Sequence, residues 1–137
     1  MTPLIVGVFL LASSTNLSTT TYNSVYRATS TPISSSTIKS LIRAYSAFYE
    51  VSYDTLYSII GCETGHTFNP LIQSLAYRNG IQEDSWGLAQ INLPSWKGII
   101  SKEQAQDPDF AITFMAKKIS QGKIYLWSCA KILGLTG

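Results

Sequence analysis

The sequence predicts a mainly α fold, α+β at most, arranged as a single domain with a long irregular or small-hairpin middle segment. Three observations point there. Apolar residues recur at helical spacing on both sides of the centre, while the segment from His66 to Asp84 carries turn signals instead of periodicity. A chain of 137 residues, 45% hydrophobic and 12% aromatic, is enough for one core and too short for two.

The chain opens on an apolar run, Leu4 to Ala12. It is shorter than the roughly 20 residues that cross a bilayer, so no stable membrane span is expected. It fits the apolar region of a signal peptide, with Ala12-Ser13-Ser14 as a small-residue cleavage site, although no Lys or Arg precedes it. Residues 1–14 are therefore read as a leader, and the protein as exported. Residues 15–36 are rich in Ser and Thr and poor in large apolar side chains, which predicts a flexible linker. The folded unit is expected over 37–137.

Ile38, Leu41, Ile42, Tyr45, Phe48 and Tyr49 trace one face of a first helix. Ser52 can cap a second, with Asp54 in its first turn and Leu56, Ile59, Ile60 and Glu63 at i, i+3, i+4 and i+7. Gly65 suits the left-handed position that ends it. Asn79-Gly80 could close a small hairpin, but its flanks alternate poorly. A short apolar piece, Trp86 to Ile91, stops before Pro94. Asp107-Pro108 opens another helix, whose stripe of Phe110, Ala111, Phe114, Met115 and Ile119 reads as packing and not as a cofactor box. Residues 124–133 predict a further short helix.

Net charge is +2 and 13% of residues are charged, with Lys117-Lys118 the densest basic cluster. Nucleic acid needs a clustered basic face, so it is excluded as a partner. In an oxidising compartment Cys62 and Cys129 have only each other as an intrachain partner; two buried thiols are the alternative. With one His and no ligand-type spacing, neither a metal nor another cofactor is expected.

Glu63 continues the apolar face of its helix and lies in the last turn, at the negative end of the helix dipole. Both effects favour the protonated form, which general-acid cleavage of a glycosidic bond requires. A surface glutamate at a frayed helix end is the plainer alternative.

The residues around it carry a resemblance. Cys62-Glu63-Thr64-Gly65-His66-Thr67-Phe68-Asn69-Pro70 resembles the Glu-Ser-Gly-Phe-Asn-Pro signature of lytic transglycosylases, with Thr64 for Ser and two residues inserted. Ser85-Trp86-Gly87-Leu88-Ala89-Gln90-Ile91-Asn92 is similar to their Gly-Leu-Met-Gln-Ile block, and Asp107-Pro108 to the start of a third. The likeness covers roughly residues 37–129 and implies a lysozyme-like domain that cuts peptidoglycan glycan strands as a monomer. It implies Glu63 as catalytic acid, with Ser85, Gly87, Gln90 and Asn92 along the sugar cleft. Gly87 would let backbone approach the substrate, while Gln90 and Asn92 would meet sugar hydroxyls and acetamides.

The sequence departs from the family in lacking its terminal Ala-Tyr-Asn-x-Gly motif. It has Tyr125-Leu126-Trp127-Ser128-Cys129 instead, closer to the ending of compact lysozymes. A Cys62–Cys129 bond would bring Trp127 beside Glu63 as an apolar wall; ordinary core is the alternative. His66, the lone histidine, could bind substrate or be incidental. Lysozymes that share the second block place Asp where Ser85 stands. Asp84 is one residue away, and a shift of one turns a strand side chain to the opposite face. Three functions stay open: a transglycosylase needing Glu63 alone, a hydrolytic lysozyme using Glu63 with Asp84, and a non-catalytic glycan-binding or secretion-associated protein.

Overall fold

The computed structural model describes residues 33–136, so the expected leader and residues 15–32 of the expected linker lie outside the described residues. The class is mainly α with a small antiparallel sheet. Helix α1 spans Ser35–Phe48 and α2 spans Tyr53–Glu63. The short strands β1 (Gln73–Ser74), β2 (Tyr77–Arg78), β3 (Ile81–Gln82), β4 (Ser85–Trp86) and β5 (Ile91–Asn92) follow. Helices α3 (Lys102–Gln106), α4 (Pro108–Ser120) and α5 (Ser128–Ile132) complete the fold.

Helix α1 begins at Ser35, inside the stretch expected to be linker. The Ser34 hydroxyl accepts the Thr37 N–H and satisfies one of the amides that a helix start leaves without a partner. Ile38 and Ile42 are buried as the periodicity predicts, but Phe48 is 75% exposed and not part of the core. It lies in the last turn, where its ring meets Tyr49 edge-on. Helix α2 starts as expected, with Ser52 accepting the Thr55 N–H.

Asn79 and Gly80, both at positive φ, form the two-residue turn between β2 and β3. Such a turn matches the right-handed twist of the strands it joins, so the poor alternation of the flanks does not prevent the hairpin. β1, β4 and β5 form a separate sheet with β4 central.

Helix α3 was not legible from apolar periodicity, since only Ala105 of its five residues is buried. Its signal is the capping box: Ser101 accepts the Gln104 N–H while the Gln104 side chain accepts the Ser101 N–H. Asp107 then caps α4, with Pro108 at its first position. The C-terminal helix is broken in two. A 3₁₀ turn at Ile124–Leu126 precedes α5, with Trp127 extended between them.

The core joins Ile38 and Ile42 of α1, Leu56, Ile59 and Ile60 of α2, and Ile112 and Met115 of α4 to Leu88 and Ile91. Each such side chain contributes about 1.5–3 kcal/mol by leaving water. Burial of Leu88 and Ile91 anchors the sheet to the helices. Among the described residues no helix is long and apolar enough to cross a membrane.

Candidate functional site

A disulfide joins Cys62, in the last turn of α2, to Cys129, at the start of α5, with Cα atoms 5.8 Å apart. Cys62 is next to Glu63, so the bond brings the end of α2 against the beginning of α5. There the Cys129 backbone N–H donates to Glu63 Oε1 at 3.1 Å. Trp127, the residue capping α5, offers no side-chain cap, so Glu63 supplies one from another element. Glu63 is half-buried and is among the residues lining a cleft of about 200 Å³.

A further part of that cleft's lining follows from strand register. Ser74 pairs with Ser85, and Ser85 with Asn92, across β1, β4 and β5. Directly paired residues share a sheet face, so two hydroxyls and an amide form one polar row, and all three line the cleft. The alternate row, Gln73, Trp86 and Ile91, belongs to the other face. Asn92 Nδ2 donates to Ser85 Oγ at 3.5 Å, and its Oδ1 accepts from Ser95 N at 3.2 Å, which caps a 3₁₀ turn at Leu93–Trp96. Gln90 also borders the cleft. It is held at φ 44° while its side chain donates to the Gly87 carbonyl at 2.9 Å. A non-glycine residue in that region is strained and persists because the surrounding structure imposes it.

Trp127 is both cleft wall and core. It is 5% exposed, meets Phe114 edge-on, and its indole N–H donates to the Ala89 carbonyl at 2.7 Å. That bond ties α5 to the segment between β4 and β5. The turn after Glu63 is set by Thr64, which is fully buried. Its hydroxyl donates to the Ile60 carbonyl at 2.8 Å and accepts the Phe68 N–H at 3.2 Å. His66 is exposed, with its ring against Gly61, and is not among the residues lining the cleft.

Two expected site residues lie elsewhere. Gly87 is at φ +76°, and a Cβ there would overlap the Ala105 carbonyl oxygen of α3. Its glycine is therefore required by packing of the sheet against α3, and it does not line the cleft. Asp84 Oδ1 accepts from the Trp86 indole at 2.6 Å and from Gln73 Nε2 at 3.0 Å, so it is engaged with the opposite face of the sheet.

Glu83 lines the cleft instead. Alternation carries the signal: a shift of one from Ser85 reverses the side, and a shift of two restores it. Ser74 and Ser128 also line the cleft, and no pattern in the sequence singled them out. Among the described residues no group of three His, Cys, Asp or Glu side chains could hold a metal ion. The site thus offers a half-buried carboxyl, a second carboxyl, an indole wall and a row of neutral hydrogen-bonding groups. Comparison of the chain with protein-family models, with curated proteins and with solved structures finds no match.

Proposed function

We propose that the protein is an exported muramidase that cuts the β-1,4 bond between N-acetylmuramic acid and N-acetylglucosamine in peptidoglycan, acting as a lytic transglycosylase. The observation that carries this reading is the cleft itself. Glu63, from one sequence block, and Ser85, Gln90 and Asn92, from another some twenty residues on, border the same 200 Å³ space together with Trp127. Neutral amides and hydroxyls suit a polyol bearing acetamido groups, and the indole suits the apolar face of a sugar ring. The disulfide supports an oxidising compartment, and hence export.

In this reading Glu63 gives its proton to the glycosidic oxygen as the bond to the muramic acid C1 breaks. The departing sugar keeps that proton as a hydroxyl. The substrate's own N-acetyl oxygen stabilises the positive charge left at C1. Glu63, now a carboxylate, takes the proton of the muramic acid 6-hydroxyl as that oxygen bonds to C1. The acid is regenerated, no water is consumed, and the product is an anhydro sugar.

Hydrolysis is the second reading, and Glu83 favours it. Two carboxyls in one cleft can act as acid and base, or as acid and nucleophile, with water completing the reaction. Asp84, committed to Trp86 and Gln73, is the weaker candidate for that role.

The test is the mass of the products released from purified peptidoglycan. Anhydro-muropeptides, lighter by one water than hydrolytic products, are expected. Reducing-end products that disappear in Glu83→Gln would establish the hydrolytic reading. Binding without cleavage would leave a glycan-binding protein. Glu63→Gln should abolish cleavage, and unchanged turnover in that variant would remove Glu63 from the mechanism.

A further inference from the structure

Three features converge on one peptide unit. Cys129 is bonded through its side chain to Cys62, through its backbone N–H to Glu63, and it is the second residue of a helix of five. A helix that short has no stability of its own, because nucleation costs more than its few hydrogen bonds return. Its capping residue gives no side-chain cap. The contacts at its N-terminus include the disulfide, the bond to the Glu63 carboxyl and the Trp127 indole bond to Ala89. The first two attach to adjacent residues, so a covalent bond and a hydrogen bond close one small ring between α2 and α5.

We infer that the Cys62–Cys129 disulfide positions the Glu63 carboxyl, holding it against the Cys129 amide so that reduction of the disulfide loosens the aim of the acid into the cleft. The inference deepens the proposed function and rests on Glu63 being the acid. The two segments are 67 residues apart in sequence, and the bond keeps donor and acceptor together throughout any opening of the cleft. Glutamate has several rotatable bonds, and small misplacement of a catalytic group costs rate steeply. The polar row on β1, β4 and β5 is held by strand pairing and does not depend on the disulfide. Loss of the clamp should therefore act on turnover and leave glycan binding in place. Cys62 and Cys129 are positioning residues here and need not touch the substrate.

The test compares the oxidised full chain with the same chain reduced by a dithiol, and with Cys62→Ala/Cys129→Ala. In the reduction two electrons and two protons pass to the cysteine sulfurs, and the dithiol closes to its own cyclic disulfide. Two readouts are taken. On peptidoglycan, kcat should fall about 10- to 100-fold with KM within twofold. By carbon-13 NMR of the Glu63 carboxyl, the titration midpoint should move upward, because releasing a backbone N–H removes a bond that favours the charged form. Glu83, the other carboxylate lining the cleft, is present in every form compared.

The NMR readout needs no turnover. If no form cleaves peptidoglycan, the proposed function fails while the midpoint still decides the clamp. An unchanged midpoint, or equal kcat in oxidised and reduced protein, overturns the inference. If the double-alanine chain does not fold, Cys62→Val/Cys129→Ala refills the core and the same midpoint is read. Failure of both variants to fold would mark the disulfide as a global staple and also overturn it.

Discussion

Replacing Gly87 by alanine tests whether that glycine serves the sugar or the fold. Two costs arise at this position. The backbone is at φ +76°, where a Cβ is penalised by about 1 kcal/mol or somewhat more. The added carbon would also overlap the Ala105 carbonyl oxygen and carbon, which belong to helix backbone and cannot swing aside. Forcing a carbon into packed structure costs about 1–3 kcal/mol. Gly122 provides the control, since it too is at φ +76° but has nothing within 4 Å of the position a Cβ would take. Gly122→Ala should therefore cost about 1 kcal/mol, and Gly87→Ala about 3 kcal/mol in total, the first term being shared. The change that Gly→Ala makes in the unfolded chain is common to both and cancels in the comparison. For a domain of roughly 100 residues, about 4 °C of Tm accompanies each kcal/mol. Thermal unfolding followed by circular dichroism should thus drop by about 12 °C for Gly87→Ala and about 4 °C for Gly122→Ala. Equal shifts would refute the packing explanation. A normal Tm for Gly87→Ala with impaired glycan binding would return Gly87 to the cleft.

Glu63→Ala should lower stability by about 1 kcal/mol because the Cys129 N–H loses its acceptor, whereas Glu63→Gln keeps an acceptor and should match the parent in urea unfolding. Equal stability of the two variants would mean that the bond contributes nothing to folding. Ser46 is buried in α1 and its hydroxyl has no hydrogen-bond partner, so Ser46→Ala should raise stability by about 0.5–1 kcal/mol; a lower urea midpoint would contradict this. The Tyr45 hydroxyl donates to Asp109 at 2.7 Å and ties α1 to α4. A hydrogen bond with Thr113 lowers its pKa, but the bond to Asp109, burial and the charges of Asp109 and Tyr49 together leave it above the ordinary 10.0. The native state thus holds this proton more tightly than the unfolded chain. Its stabilisation is complete below pH 10 and is lost as pH rises through the raised value. The stability gap between parent and Tyr45→Phe should hold constant below pH 10 and narrow as pH rises above it, and a gap that stays constant there would refute the assignment.

How far the sequence reaches can be judged residue by residue. Local chemistry was enough wherever a neighbour supplies the partner. Ser52 and Asp107 cap their helices from within a few residues, Pro108 sits where its missing N–H costs nothing, and apolar spacing buries Leu56, Ile59 and Ile60 together. The helical class and the pairing of two cysteines in an oxidised chain follow from such short-range rules and from counting. The cleft does not. Ser74, Ser85 and Asn92 form one row only because β1, β4 and β5 pair in a particular register, and register is a relation between segments. The same register decides that Glu83 borders Glu63's cleft and that Asp84 turns to Trp86 and Gln73. Gly87 likewise looked like an opening toward substrate until the Ala105 carbonyl, eighteen residues away, was found to occupy the space. For Glu63 the sequence determined the helix end and the half-buried face. Only the tertiary structure, by bringing Cys129 across a 67-residue separation, decided what holds its carboxyl, because chain connectivity puts no limit on which distant amide a side chain meets.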